Sequence, residues 1–210
     1  MAASQAYEEA KTRALQVRET YGIDGPSLKL RQMRNIYRHQ GIDLIYWSAK
    51  LRVLRGAYIC DEDGATVMVS KDLPDDPKLF TLAHELKHHL IDHGACKTVD
   101  NGSDVREIAA EVFAAELLLP ESIFTQELNQ RGVSLKQPVG LEKVQRAIIS
   151  LKRETGTTLS YFGLSKRSER LGYATKGSLT RTKWKILEES YYGVPFYKIN
   201  QKPQYSDLIR

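Results

Sequence analysis

Thr81-Leu82-Ala83-His84-Glu85-Leu86-Lys87-His88-His89 is the stretch on which the reading of this chain turns. Leu79, Ala83, Leu86 and Leu90 recur around it at three- and four-residue intervals, which predicts a helix from about residue 78 to 92 with those side chains on its packing face. Four residues turn an α-helix through about 400°, so His84 and His88 leave the same side roughly 6 Å apart along the axis. Both imidazoles then reach one metal ion. Glu85 stands about 100° further round the helix, beside the ion's open position, where its carboxylate can take a proton from an attacking water and return it to a leaving amine. Zinc supplies the other half of such chemistry, lowering the pKa of water to about 7 and polarising a carbonyl. A His-Glu-x-x-His arising by chance in a chain this long has a probability on the order of one percent or less.

Two imidazoles do not hold a catalytic zinc, so a third ligand is required. A further histidine at position 94 would complete one familiar pattern, but Ile91 and Gly94 occupy the positions that pattern reserves for Gly and His. The alternative is a glutamate from a following helix, giving a His₂Glu site. Residues 104–119 have the pattern of that helix, with Asp104 as a plausible N-cap and Pro120 after its end. Glu107 falls early in it, and Glu111 one turn later on the same face. We read Glu107 as the metal ligand and Glu111 as acceptor of a hydrogen bond from the N–H of a ligand histidine; the reverse assignment is the alternative. One zinc ion per chain is expected.

Leu79 to His88 and Glu107-Ile108-Ala109-Ala110-Glu111-Val112-Phe113-Ala114-Ala115-Glu116-Leu117-Leu118-Leu119-Pro120 together resemble the paired signatures of the ImmA/IrrE family of metallopeptidases, and residues from about 10 to 125 fit that family's order of elements. The resemblance implies a minimal gluzincin-like fold, Glu107 as third ligand, and cleavage of a DNA-binding repressor. Phe162-Gly163-Leu164-Ser165 with Arg170-Leu171-Gly172-Tyr173 is similar to the helix-turn-helix-like segment that often follows in the family; we read it as a packing or repressor-docking element.

Outward from the motif, Tyr7, Ala10, Ala14, Val17 and Tyr21 predict a helix over 5–21 ended by Gly22, and a second runs from Pro26-Ser27 to Gly41. Ile42 to Trp47 is β-branched and aromatic, the composition of a buried strand. Gly56 to Cys60 and Ala65 to Ser70, joined by Asp61-Glu62-Asp63-Gly64, suit a hairpin. Ala65 to Ser70 is either an interior strand or an edge strand whose main chain, at Val67 and Val69, would bind extended substrate. Residues 93–103 form a loop, 121–129 a short helix, and Leu141, Val144, Ala147, Ile148 and Leu151 mark an amphipathic helix ending near Gly156. Residues 174–210 show no clear period and are assigned no structure. The expected fold class is α+β: a mostly helical, zincin-like domain with a small antiparallel or mixed sheet over 1–125, a helical region over 126–175, and an extension over 176–210.

Composition, with 41% hydrophobic and 27% charged residues, is that of a globular protein. No apolar run approaches the roughly 20 residues that span a bilayer, and the first ten residues lack a secretory pattern, so a cytoplasmic location without membrane contact is expected. Cys60 and Cys96 read as reduced thiols. His89, His93 and His39 read as structural or solvated side chains. Residues 1–120 hold 15 Lys and Arg against 18 Asp and Glu, a net −3, while 121–210 hold 16 against 8, a net +8. That asymmetry keeps open a DNA-binding or protein-binding regulator in which zinc is only structural. The leading expectation is a zinc endopeptidase acting on a protein, a helix-turn-helix repressor.

Overall fold

The computed structural model describes residues 3–48, 55–92 and 104–193, and the statements below concern these. They fold into eight helices and three strands: α1 (Ala3–Thr20), α2 (Leu30–His39), β1 (Ile42–Trp47), β2 (Gly56–Asp61), β3 (Gly64–Ser70), α3 (Asp75–Asp92), α4 (Asp104–Leu118), α5 (Glu121–Gln130), α6 (Leu141–Thr155), α7 (Tyr161–Arg170) and α8 (Trp184–Tyr192). This is the α+β, mostly helical class that the sequence pattern indicates.

The helices form where periodic apolar residues find a surface to cover. α4 lies between α1 and α3. Ala10 and Ala14 of α1 and Ala109, Ala110 and Ala114 of α4 are buried, and such small side chains let helix axes approach closely. Phe113, Leu117 and Leu118 fill the remaining volume of α4 at zero exposure. α3 begins at Asp75, three residues earlier than the pattern suggests, because Pro77 falls in the first turn, where its missing N–H costs nothing. α2 begins later than expected, at Leu30, with Lys29 as N-cap and Gln32 accepting from the Lys29 N–H at 2.9 Å.

The sheet order is β1-β3-β2, with β1 parallel and β2 antiparallel to β3. The β2–β3 hairpin closes on Asp61 opposite Gly64, where φ of +125° demands glycine. β1 is not the buried strand its composition suggests. It is a sheet edge, and of its residues only Ile42 is buried while Ile45 is 47% exposed.

One hydrophobic cluster runs from Ala10 to Leu179, continuous across position 125. α5, α6 and α7 extend it at Phe124, Leu128, Ile148, Leu151 and Leu164. α8 lies in the stretch whose sequence shows no clear period. Its Trp184 stacks on Tyr161, rings 5.1 Å apart and nearly parallel, and its Glu188 accepts a 2.7 Å hydrogen bond from the Tyr161 hydroxyl. Apolar residues at 184, 187 and 191 carry the period, and Gly193 ends the helix in the left-handed conformation. Residues 194–210, Cys96, His93 and the expected loop over 93–103 lie outside the described residues. No described helix is long and apolar enough to cross a membrane.

α7 is tied to α4 by a buried ion pair, Arg167 Nη2 to Glu116 Oε2 at 3.1 Å, with both side chains at most 5% exposed. Burial pulls the Arg167 guanidinium down to about 10 and pushes the Glu116 carboxyl up, which marks the pair as mutually dependent. Arg167→Met strands the carboxylate and is expected to cost about 3 kcal/mol in urea unfolding. Adding Glu116→Gln should recover most of that loss, whereas a double variant no more stable than the single would show that the pair is not its source.

Candidate metal centre

α3 packs against α4, and the contact brings three donor side chains to one point. His84 Nε2 lies 3.3 Å from His88 Nε2 and 3.1 Å from Glu107 Oε2, and His88 Nε2 lies 3.6 Å from Glu107 Oε1. A tetrahedral zinc with Zn–N and Zn–O bonds of about 2.0–2.1 Å requires ligand atoms about 3.3 Å apart. The separations, each measured to one or the other Glu107 oxygen, lie near that spacing, so the three side chains are close enough to share one such ion.

The protonation of the donors suits a cation. His88 Nδ1 donates to Asp92 Oδ2 at 2.7 Å, which places the proton on Nδ1 and turns the Nε2 lone pair into the triangle. Burial, followed by the neighbouring His88, holds the His84 imidazole below its ordinary pKa against the pull of Glu107, favouring the neutral ring. Burial works against the Asp92 carboxylate, but hydrogen bonds from His88 and Lys87 outweigh it and hold its pKa below the usual range. Glu107 is the exposed member, its side chain 54% accessible against 19% for His84 and 15% for His88. The open side of the site therefore lies toward α4's first turn.

Glu85 is buried at 7% exposure beside this triangle. Burial, reinforced by the Glu107 charge, raises its pKa from 4.5 to about 7, although His88 and a hydrogen bond from the Tyr58 backbone N–H oppose the rise. A carboxyl near neutrality gains and loses a proton readily, which is what acid–base work requires. The Tyr58 N–H reaches Glu85 from the edge of the sheet, where β2 lies. Asp61 pairs with Gly64 across the hairpin and Tyr58 with Val67, and in the alternating antiparallel ladder Tyr58 then points its main-chain groups away from β3.

Val67 and Val69 cannot offer main-chain groups to a substrate. β3 is the central strand, its two sides are taken by β1 and β2, and both valines have zero exposure. The edge beside Glu85 belongs to β2. Glu111 also differs from the reading above: it is ion-paired with Lys166 at 3.8 Å and forms no hydrogen bond to His84 or His88. The carboxylate on the ligand histidine is Asp92, four residues after His88 on the same helix, a spacing that the sequence displays. His89 is turned aside to the Tyr58 hydroxyl at 3.1 Å, and His39 is exposed.

Gly56 is the contact that sequence reasoning overlooked. A Cβ there would lie 2.3 Å from Thr81 Cγ2 and 3.0 Å from Glu85 Oε1, so only glycine lets β2 approach α3 this closely. Gly56→Ala should cost about 1–3 kcal/mol in stability through overpacking. Thr81→Ser, which deletes Cγ2, should return most of it in the same background. Urea titration of the three proteins decides the matter, and an unperturbed single variant would mean that β2 has room to retreat.

A family model described as Peptidase_M78, the IrrE N-terminal-like domain, matches residues 38–166, more than half of the chain and a span containing every donor named above. No curated protein matches the chain.

Proposed function

We propose that this chain, which belongs to the Peptidase_M78 family of IrrE N-terminal-like domains, is a zinc-dependent endopeptidase cutting a protein substrate, a helix-turn-helix transcriptional repressor. Peptidase chemistry follows from the family; the metal, the internal cleavage and the substrate are our reading. The observation that carries it is the gathering of His84, His88 and Glu107 next to the buried Glu85.

His84, His88 and Glu107 would hold zinc. When bound, it would supply Lewis acidity, acidifying water and polarising the scissile carbonyl. The protein's own groups do the rest. Glu85 accepts the proton of the attacking water at its carboxylate and delivers it to the departing amine, so its proton count is unchanged over a turnover. Tyr58 N–H holds that carboxylate in place from one side and burial restricts competing water on the other. Asp92 fixes the His88 ring so that it cannot rotate out of the triangle.

The repressor substrate rests on the resemblance of both motifs to the ImmA/IrrE signatures, and a cytoplasmic site of action goes with it. The competing reading, a DNA-binding regulator with structural zinc, draws on the +8 charge of residues 121–210. A structural zinc is ordinarily closed by four protein ligands, and three described residues gather here, which favours catalysis.

Glu85→Gln should bind one zinc per chain as the parent does while cleaving a helix-turn-helix repressor substrate about 10²–10⁴-fold more slowly. His88→Ala should lose both zinc and cleavage. Zinc stoichiometry by elemental analysis and mass spectrometry of repressor fragments are the measurements. Undiminished fragments with Glu85→Gln would end the proposed mechanism, and salt-sensitive DNA binding without any cleavage would favour the regulator.

A further inference from the structure

Lys87 stands between the two histidines in sequence, where a lysine reads as a solvated side chain on the outer face of a helix. It is instead 2% exposed. Lysine is almost never buried without a partner, and this one has two. Its Nζ donates to Asp92 Oδ2 at 2.6 Å and to the Arg106 carbonyl at 3.2 Å.

Both partners lead to the donor triangle. The same Asp92 Oδ2 accepts from His88 Nδ1 at 2.7 Å, and Arg106 is the residue immediately before Glu107. One ammonium therefore touches the group that orients a ligand histidine on α3 and the main chain that presents the ligand carboxylate on α4. Glu107 needs such support. Its side chain is half-exposed, and among the described residues its only hydrogen-bonding and ion-pair partners are the two imidazoles. Nothing on the side chain itself locates it when those imidazoles turn to a cation.

We propose that Lys87 is a positioning residue for the metal centre, holding the Asp92 carboxylate on His88 Nδ1 and the α4 backbone beside Glu107 so that the three donors converge on one divalent cation. This rests on the zinc reading of the site. Two effects of the ammonium oppose each other. As a nearby positive charge it repels the incoming cation, and on that ground alone its removal would tighten binding. As a clamp it preorganises the donors, and loss of partners that orient ligands commonly weakens metal binding about 10–100-fold. Positioning wins here because Asp92 lies 2.6 Å from Nζ and largely cancels its charge at the distance of the ion, whereas nothing replaces the bond to the Arg106 carbonyl.

The test uses the full chain stripped of metal and titrated with zinc alone against a chromophoric chelator. Lys87→Met, which keeps the stem and removes the ammonium, should weaken zinc binding about 10–100-fold, and Asp92→Asn should weaken it comparably. The double variant should lose less than the product of the two single losses, because Lys87 and Asp92 share the carboxylate on His88 although Lys87 alone also holds the Arg106 carbonyl. Lys87→Arg, which keeps charge and donors, should restore most of the affinity. A role confined to stability would not produce this non-additivity in zinc affinity. If Lys87→Met does not fold, Lys87→Gln, which removes the charge but keeps an N–H donor group, replaces it with the same expected direction. Zinc binding within about twofold of the parent, tighter binding, or losses that multiply in the double variant would each overturn the assignment. A parent chain that binds no zinc would overturn the reading of the site itself, whereas a parent and Lys87→Met that bind it equally would remove only the role of Lys87.

Discussion

The packing of α3 against α4 is the contact on which the rest of this molecule depends. His84 and His88 are fixed to each other by one helical turn, but their partner Glu107 belongs to another helix, and only side-by-side packing sets its distance from them. The face that accomplishes this is apolar and built largely of residues with little or no exposure: Leu79, Leu82, Ala83 and Leu86 on α3, and Ala109, Phe113, Ala114 and Leu117 on α4. Each large side chain among them contributes roughly 1.5–3 kcal/mol by leaving water. Apolar burial is non-directional, however, and does not specify a register to a few tenths of an ångström. Polar contacts do that, among them the Lys87 bridge to Asp92 and the Arg106 carbonyl.

That core also carries the cost of the chemistry placed against it. Raising Glu85 from 4.5 to about 7 disfavours its ionised form by roughly 3 kcal/mol, comparable with what one or two buried leucines supply. The protein meets the cost where the middle of α3 lies against the backbone of β2. Gly56 allows the strand to lie against Thr81 and Glu85, and Tyr58 N–H gives the carboxylate one fixed donor. The sheet thus acts less as a layer of the core than as a wall for the acid–base group. With β3 shielded on both sides, β2 is the strand that faces the site.

Buried charges elsewhere follow the same logic. Arg18 is buried in α1, yet it donates to the Leu117 carbonyl at 2.7 Å and the Gly25 carbonyl at 2.5 Å, tying α1 to the end of α4. Arg167 meets Glu116 near the same helix end. Tyr37 gives its hydroxyl to the Leu82 carbonyl at 2.6 Å, linking α2 to α3 two residues before His84. In each case a directional bond fixes an element whose apolar face alone would allow it to slide.

The two imidazoles and the glutamate between them were identifiable from local spacing alone, because helical spacing is a local property: about four residues make one turn wherever the helix sits. The sequence also determined the hairpin, through its turn residues, and the amphipathic helices of the first half, through their period. Glu107 was legible as a residue type in a second periodic segment, but its convergence on the histidines was a matter of tertiary packing. What only the three-dimensional structure decided were contacts between segments distant in sequence. The central place of β3 turned Val67 and Val69 inward, the contact of Asp92 with the buried Lys87 gave His88 a partner other than Glu111, and the closeness of Gly56 to Glu85 joined strand to helix. Spacing along a chain encodes which face of an element a side chain occupies; which neighbour that face meets depends on the packing of the whole core.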